Sequence, residues 1–311
     1  VLGTAFRSLI TRTQMQSEAP YPEQWLKSAF IELQNVFVTF DGTMLISAFL
    51  GLIHEESGLL YFINAEHPRP VIWRESSASF LQERTLFRKI GILAAEEQLT
   101  IDTYLLKSDD VLLLGSDGRD DIDLGGGPGG GRKINEREEL FLQSVTASRA
   151  DLVELVKELQ RQGRLIDDLS LMRLGYREDA PAAADGKPRR KKLEGELIAA
   201  RQLKDWPVAL ERAKKLSELH PENANYLLHV LKLARRDYLS TLRSDTLKLA
   251  IDYGERLRLR NRRDARALLY LADTYRMQGQ AGRARKILSE AEDAGADQQA
   301  LERLKRLLLS A

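Results

Sequence analysis

Apolar residues recur with two different periods along this chain. Between residues 44 and 176 they alternate or run uninterrupted, and beyond residue 190 they return at steps of three and four. A period of two belongs to strands and one near 3.6 to helices, so neither half can take the other's structure. The stretch EDAPAAADGKPRRKK, residues 178–192, separates them and has the composition of a linker. The expected organisation is a mixed domain over 1–177, a linker over 178–192 and an all-helical domain over 193–311.

In the first half, MLISAFLGLI and LLYFINA flank His54-Glu55-Glu56-Ser57-Gly58, a hairpin with a glycine in its turn. Pro68 and Pro70 then break the chain before VIWR, a short strand. LTIDTYLLK and VLLL form a second expected pair around Ser108-Asp109-Asp110, and VLLL is apolar at every position, as interior strands are. Two helices are expected before the strands, one carrying Phe6, Leu9 and Ile10, the other starting at Tyr21-Pro22-Glu23. Residues 135–163 read as two helical pieces, with Ser148 as N-cap of the second and Gly163 as its stop. RLIDDLSLMRLGY returns to strand. Hairpins predict antiparallel sheets with helices outside, an α+β layered fold.

The second half repeats. Trp206, Ala209, Ala213, Leu216 and Pro221 align with Gly279, Ala284, Leu288, Ala291 and Ala296. The frame gives units at 190–223, 224–264 and 265–298, near the ~34-residue helix-turn-helix period of tetratricopeptide repeats. The middle unit is longer by about seven residues around 239–245, and five leucines from Leu301 to Leu309 suggest a closing helix. From Lys187 onward there are 28 Lys/Arg against 17 Asp/Glu, and the remaining residues hold 19 against 29. That asymmetry fits two modules. The basic half lacks the interleaved stacking aromatics of a nucleic-acid site, and no nucleic-acid partner is expected.

With no cysteine, the chain has no disulfide scaffold, cysteine nucleophile or thiolate zinc site, which suits a cytoplasmic setting. Its longest apolar run, residues 44–53, is too short for a bilayer. The opening VLGTAFRSLITRT has neither Met nor cap before an apolar helical pattern and reads as cut inside an element. GGGPGGG at 125–131 lacks the Gly-Lys-Ser/Thr ending of a phosphate loop and is expected as an exposed loop.

Two acidic clusters carry the candidate chemistry. VLLL runs into Ser116-Asp117-Gly118, and Asp167-Asp168 follow Leu165-Ile166. Adjacent strand ends would bring the carboxylates together, and a shared hard cation would remove their repulsion. The same residues also fit a solvated Asp-rich turn in which Arg119 neutralises Asp117. An EF-hand or Asp-x-Asp nucleophile motif fails at Arg119.

The order GLLYFINAEHPRP, KSDDVLLLGSDG, a helix, then IDDLSLMRL resembles the C-terminal two-thirds of a PPM-type, protein-phosphatase-2C-like serine/threonine phosphatase, closest to the bacterial sporulation-stage-II-E branch. The resemblance covers residues 1–176 and implies a layered antiparallel β-sandwich flanked by helices. It implies hydrolysis of a phosphoserine or phosphothreonine monoester by water held between two Mn²⁺ or Mg²⁺ ions. Carried across, Asp117 and Asp167 are metal ligands, with Asp168 beside them as a ligand or as the group that orients its neighbour. Gly118 and His67 are candidates for the site loop, with His67 either packing or hydrogen-bonding within it or standing near the phosphate. The implied substrate is a bacterial signalling phosphoprotein such as an anti-sigma-factor antagonist, with a protein partner on the repeat tail. Any membrane tether would lie in a missing N-terminal region. Two departures stand out. Gly-Asp-x-x-Asp and Asp-x-x-Gly-His-Gly are absent from the sequence, and Glu66 replaces a glycine. A weak or inactive phosphatase is therefore expected, and the rival expectation is a degenerate scaffold with a protein-binding tail.

Overall fold

All seven residues of strand β2 (Leu59–Ala65) are buried, because each face of it meets a different core. The computed structural model describes residues 3, 7, 11, 21–40, 42–81, 87–92, 99–126, 133–177 and 187–309. Phe6, Leu9, Ile10 and most of the glycine-rich run lie outside them. Strand β2 lies between β1 (Ala48–His54) and β5 (Asp102–Leu105) in one antiparallel sheet. Leu59, Tyr61 and Ile63 pack beneath helix α1 (Pro22–Val38), which supplies Leu26, Ala29, Leu33 and Phe37. Leu60 and Phe62 point the other way, onto Ile72, Leu112 and Tyr176 of a second sheet.

That second sheet runs β4 (Ser77–Phe80), β3 (Val71–Arg74), β6 (Asp110–Gly115) and β9 (Leu171–Tyr176), again antiparallel. Its outer face is covered by α2 (Glu139–Ser148) and α3 (Leu152–Gln162) through Phe141, Val145, Leu155 and Leu159. The layers are therefore helix, sheet, sheet and helices. A small ribbon, β7 (Ile122–Asp123) with β8 (Arg164–Leu165), flanks them.

Two local expectations are corrected. Strands β5 and β6 do not pair, because the turn between them carries the chain from one sheet to the other. An all-apolar strand needs cover on both faces, and β6 gains it between β3 and β9, with Leu112 facing the other sheet and Val111 and Leu113 facing the helices. Ser148 ends α2 and bonds back to the Val145 carbonyl at 3.1 Å. The cap of α3 is Asp151, which accepts from the Glu154 N–H at 2.9 Å, after Arg149 and Ala150 reverse the chain at positive φ.

Helix α4 (Lys187–Gln202) starts within the stretch expected as linker. It pairs with α5 (Trp206–Leu219). Helices α6 (Ala224–Thr241) and α7 (Ser244–Arg260) form the second pair, α8 (Ala265–Met277) and α9 (Ala281–Asp293) the third, and α10 (Gln298–Leu309) closes the row. The longer middle unit has no inserted loop. Its extra residues lengthen both helices, to 18 and 17 residues against 13 and 13 in the next unit. Among the described residues no helix is long and apolar enough to cross a membrane.

The two halves share a core. Leu259 of α7 sits among the residues under α1, and its carbonyl accepts from the Ile101 N–H at 2.8 Å. The extended α7 thus docks the helical half onto the outside of the first sheet.

Candidate active site

Strand β6 ends at Gly115, and the chain turns at once. The Asp117 carbonyl accepts from Asp120 and Asp121 at 2.8 and 3.2 Å, which winds residues 117–119 into one short turn. The loop between β8 and β9, which carries Asp167 and Asp168, is stitched to this turn. The Ser116 hydroxyl donates to the Asp168 carbonyl at 3.0 Å and accepts from the Ser170 N–H at 2.9 Å. Gly118 explains why the fit is so close. A Cβ there would stand 2.3 Å from the Asp168 carbonyl oxygen, so only glycine allows the two backbones to meet.

Asp117, Asp167 and Asp168 are all exposed on this rim. The Asp168 N–H donates to Oδ1 of Asp167 at 2.8 Å, so its backbone aims its neighbour's carboxylate. Arg119 turns the other way and does not neutralise Asp117. Its side chain is fully buried, Nε pairs with Asp120 at 3.0 Å, and the guanidinium lies 4.5 Å from the Phe141 ring centre. Nη1 and Nη2 have no hydrogen-bond partner among the described residues. Burial raises the Asp120 carboxyl pKa, against the opposing pull of Arg119.

The loop after β2 supplies His67. Glu66 adopts φ +48°, the left-handed conformation that glycine takes without cost, so the glycine's geometry survives its replacement. The Asn64 side chain makes this possible. It accepts from the His67 N–H at 2.8 Å and donates to the His67 carbonyl at 2.9 Å, which clamps the turn. The His67 ring bonds through Nδ1 to the Pro68 carbonyl at 3.0 Å, so Nδ1 carries the proton. Burial lowers its pKa, the Pro68 bond raises it, Arg119 lowers it and Asp117 raises it, with a net fall. His67 thus feels both Asp117 and Arg119. Neither the Asn64 clamp nor the inward Arg119 was among the features expected from the sequence. An Asn two positions before an outlying Glu was the available signal for the clamp.

Among the described residues no group of three or more His, Cys, Asp or Glu could hold a metal ion. The rim joins two acidic segments and is short of the ligand set that a pair of hard cations needs.

The family model for stage II sporulation protein E (SpoIIE) matches residues 1–177. The chain belongs to the SpoIIE family, whose members are protein phosphatases. Solved structures similar to it include the phosphatase domain of the cell-fate determinant SpoIIE from Bacillus subtilis, at 16% identity over 57% of this chain and 75% of that one, with a TM-score of 0.37. The SiaA PP2C domain of Pseudomonas aeruginosa is 14% identical over 56% of this chain and 69% of that one, with a TM-score of 0.40. The TPR2B domain of yeast Sti1, solved in a pHsp70 complex, is 14% identical over 40% of this chain and 98% of that one, with a TM-score of 0.35. All three are distant. No curated protein matches the chain significantly.

Proposed function

We propose that this chain carries part of a metal-dependent protein serine/threonine phosphatase site. Asp117 and Asp167 are its metal ligands, and the backbone of Asp168 orients the second of them. The observation that supports this reading is the junction of Ser116 and Gly118 with the loop of Asp167 and Asp168, which puts two acidic segments 50 residues apart in sequence on one rim. The cofactor this reading calls for is Mn²⁺ or Mg²⁺. The substrate is a phosphorylated bacterial signalling protein, such as an anti-sigma-factor antagonist, and the helical half recruits a protein partner. Gly-Asp-x-x-Asp and Gly-His-Gly are absent from these 311 residues, so turnover by this chain alone is weak.

A phosphoserine-peptide assay in excess Mn²⁺ tests the proposal. The expected result is slow hydrolysis above the buffer rate, lost in Asp117→Asn and in Asp167→Asn. Robust turnover that depends on Asp117 would refute the incomplete site. A rate that ignores metal and both substitutions would favour a second reading, a degenerate scaffold with a protein-binding tail. That reading draws on the lack of a three-ligand cluster among the described residues.

A further inference from the structure

A cleft of about 360 Å³ opens where α1 of the layered domain meets α7, α8 and α9 of the helical domain. Lys27, Glu255, Arg258, Tyr275, Arg283 and Lys286 line it. Four of these side chains are cationic and one is acidic, and the acid is already committed. Glu255 pairs with Arg258 at 3.0 Å and accepts from the Tyr275 hydroxyl at 2.7 Å. Arg258 is held further by Glu290 at 2.7 Å. Burial and then Glu255 push the Tyr275 phenol well above its ordinary range, so it stays a donor to that carboxylate.

Two cations remain unpaired: Lys27 and Lys286 have no hydrogen bond or ion pair among the described residues. Arg283 is engaged by Tyr275, whose ring centre lies 5.7 Å away, and has no carboxylate partner among the described residues. Arg283 and Lys286 also stand in the first two turns of α9. The first of these turns, which holds Arg283, has no acidic residue, and Gln280 caps it with no side-chain bond. The N-terminal end of a helix already carries partial positive charge, so cations there repel it. Lys27 from one domain and the exposed Arg283 and Lys286 from the other line the same cleft, where an anion would relieve their mutual repulsion.

We infer that this interdomain cleft binds a small phosphorylated anion carrying at least two phosphate groups. Its volume falls at the small end of ligand pockets, which run from ~300 Å³ upward, too large for a single phosphate and suited to a pyrophosphate or nucleoside polyphosphate. Lys27 belongs to one domain and Arg283 and Lys286 to the other, so the ligand ties the domains together and stabilises the joint by mass action. The site uses none of the residues assigned to phosphate-ester hydrolysis and stands or falls apart from that reading.

Calorimetric titration of the whole 311-residue chain with sodium pyrophosphate and with ATP, each without divalent metal, tests it. Submillimolar binding that weakens with salt is expected, with a rise in melting temperature. Lys27→Glu and Lys286→Glu should each weaken binding by about tenfold or more. Arg303→Glu on α10, outside the cleft, should change it less than about twofold. Lys27→Gln and Lys286→Gln repeat the test with a gentler change, and melting curves without ligand check folding. Tighter binding of ATP than of pyrophosphate assigns a nucleotide, and equal binding assigns the phosphates alone. Either supports the site. No heat with 5 mM of either probe, roughly ten times the upper affinity expected of such a site, overturns it. So does equal weakening by Lys27→Glu and Arg303→Glu, which would mark diffuse attraction to a basic surface.

Discussion

The carboxylate of Glu23 accepts from Nε of Arg260 at 2.6 Å and from Nε of Arg256 at 3.3 Å. The acid is on α1 and the two arginines on α7, so a buried ion cluster joins the layered domain to the helical one. Arg260 also donates to the Tyr61 hydroxyl at 3.2 Å, and the Arg256 guanidinium lies 4.2 Å from the Tyr21 ring centre.

Removing Glu23 leaves two buried guanidiniums without the carboxylate they share. Glu23→Ala should cost about 3–5 kcal/mol and uncouple the helical half, seen as an earlier or split thermal transition. The cluster also sets a pH dependence. Burial alone would raise the Glu23 pKa, but Arg260 and Arg256 outweigh it and hold it below 4.5. A carboxyl depressed on folding stabilises the native state above its unfolded value and loses that contribution as pH falls through the folded one. The Glu23 contribution to the melting temperature should therefore hold between about pH 7 and 5 and be lost below about pH 4.5, a fall missing in Glu23→Gln.

Gly118 and Gly195 should respond oppositely to alanine. A Cβ on Gly118 meets backbone 2.3 Å away, and neither partner can rotate aside. Gly118→Ala should cost about 1–3 kcal/mol and push the Asp167–Asp168 loop off the rim. Gly195 lies inside α4 with open space around its Cβ position, so Gly195→Ala should stabilise by about 0.5–1 kcal/mol. Urea melts of the two variants give both signs in one experiment.

Periodicity carried the layered fold a long way into view, because every strand with a covered face had to show it. Leu59, Tyr61 and Ile63 alternate with Leu60 and Phe62, and both sets are buried. Strand pairing was less legible. The turn at 108–110 looks the same whether it joins neighbours or crosses between sheets, and only the need to bury β6 on both faces decides it. The docking of α7 was invisible, since Arg256 and Arg260 read as two more cations on a helix until Glu23, more than 230 residues earlier, is set between them. At the site, the meeting of the two acidic segments was foreseeable from their strand ends. The inward turn of Arg119 was not, because sequence gives no direction to a side chain in a tight turn.

Glu66 departs from the usual cost of introducing glycine. At φ +48° a glutamate is strained by roughly 1 kcal/mol or more, which glycine avoids. Glycine also gains entropy in the unfolded chain, and the two effects oppose each other. Glu66→Gly should thus lie within about 0.5 kcal/mol of the parent, whereas Asn64→Ala should lose about 2 kcal/mol with the two bonds that clamp the turn. Thermal melts of both variants separate a clamped turn from a tolerant loop.

His67 offers a direct probe of what faces Asp117. Burial, the largest influence, holds its pKa below 6.5, so the unfolded chain protonates first and acidification through about pH 6.5 costs stability until the folded ring also takes up a proton. An NMR titration of the His67 ring should give a midpoint below 6.5. Asp117 favours the charged ring and Arg119 opposes it. Asp117→Asn should therefore lower the midpoint further, and Arg119→Met should raise it. The titration is run without added metal, so the shifts are readable whether or not the chain turns over substrate. A midpoint indifferent to Asp117→Asn would mean that the Asp117 carboxylate faces away from the His67 loop.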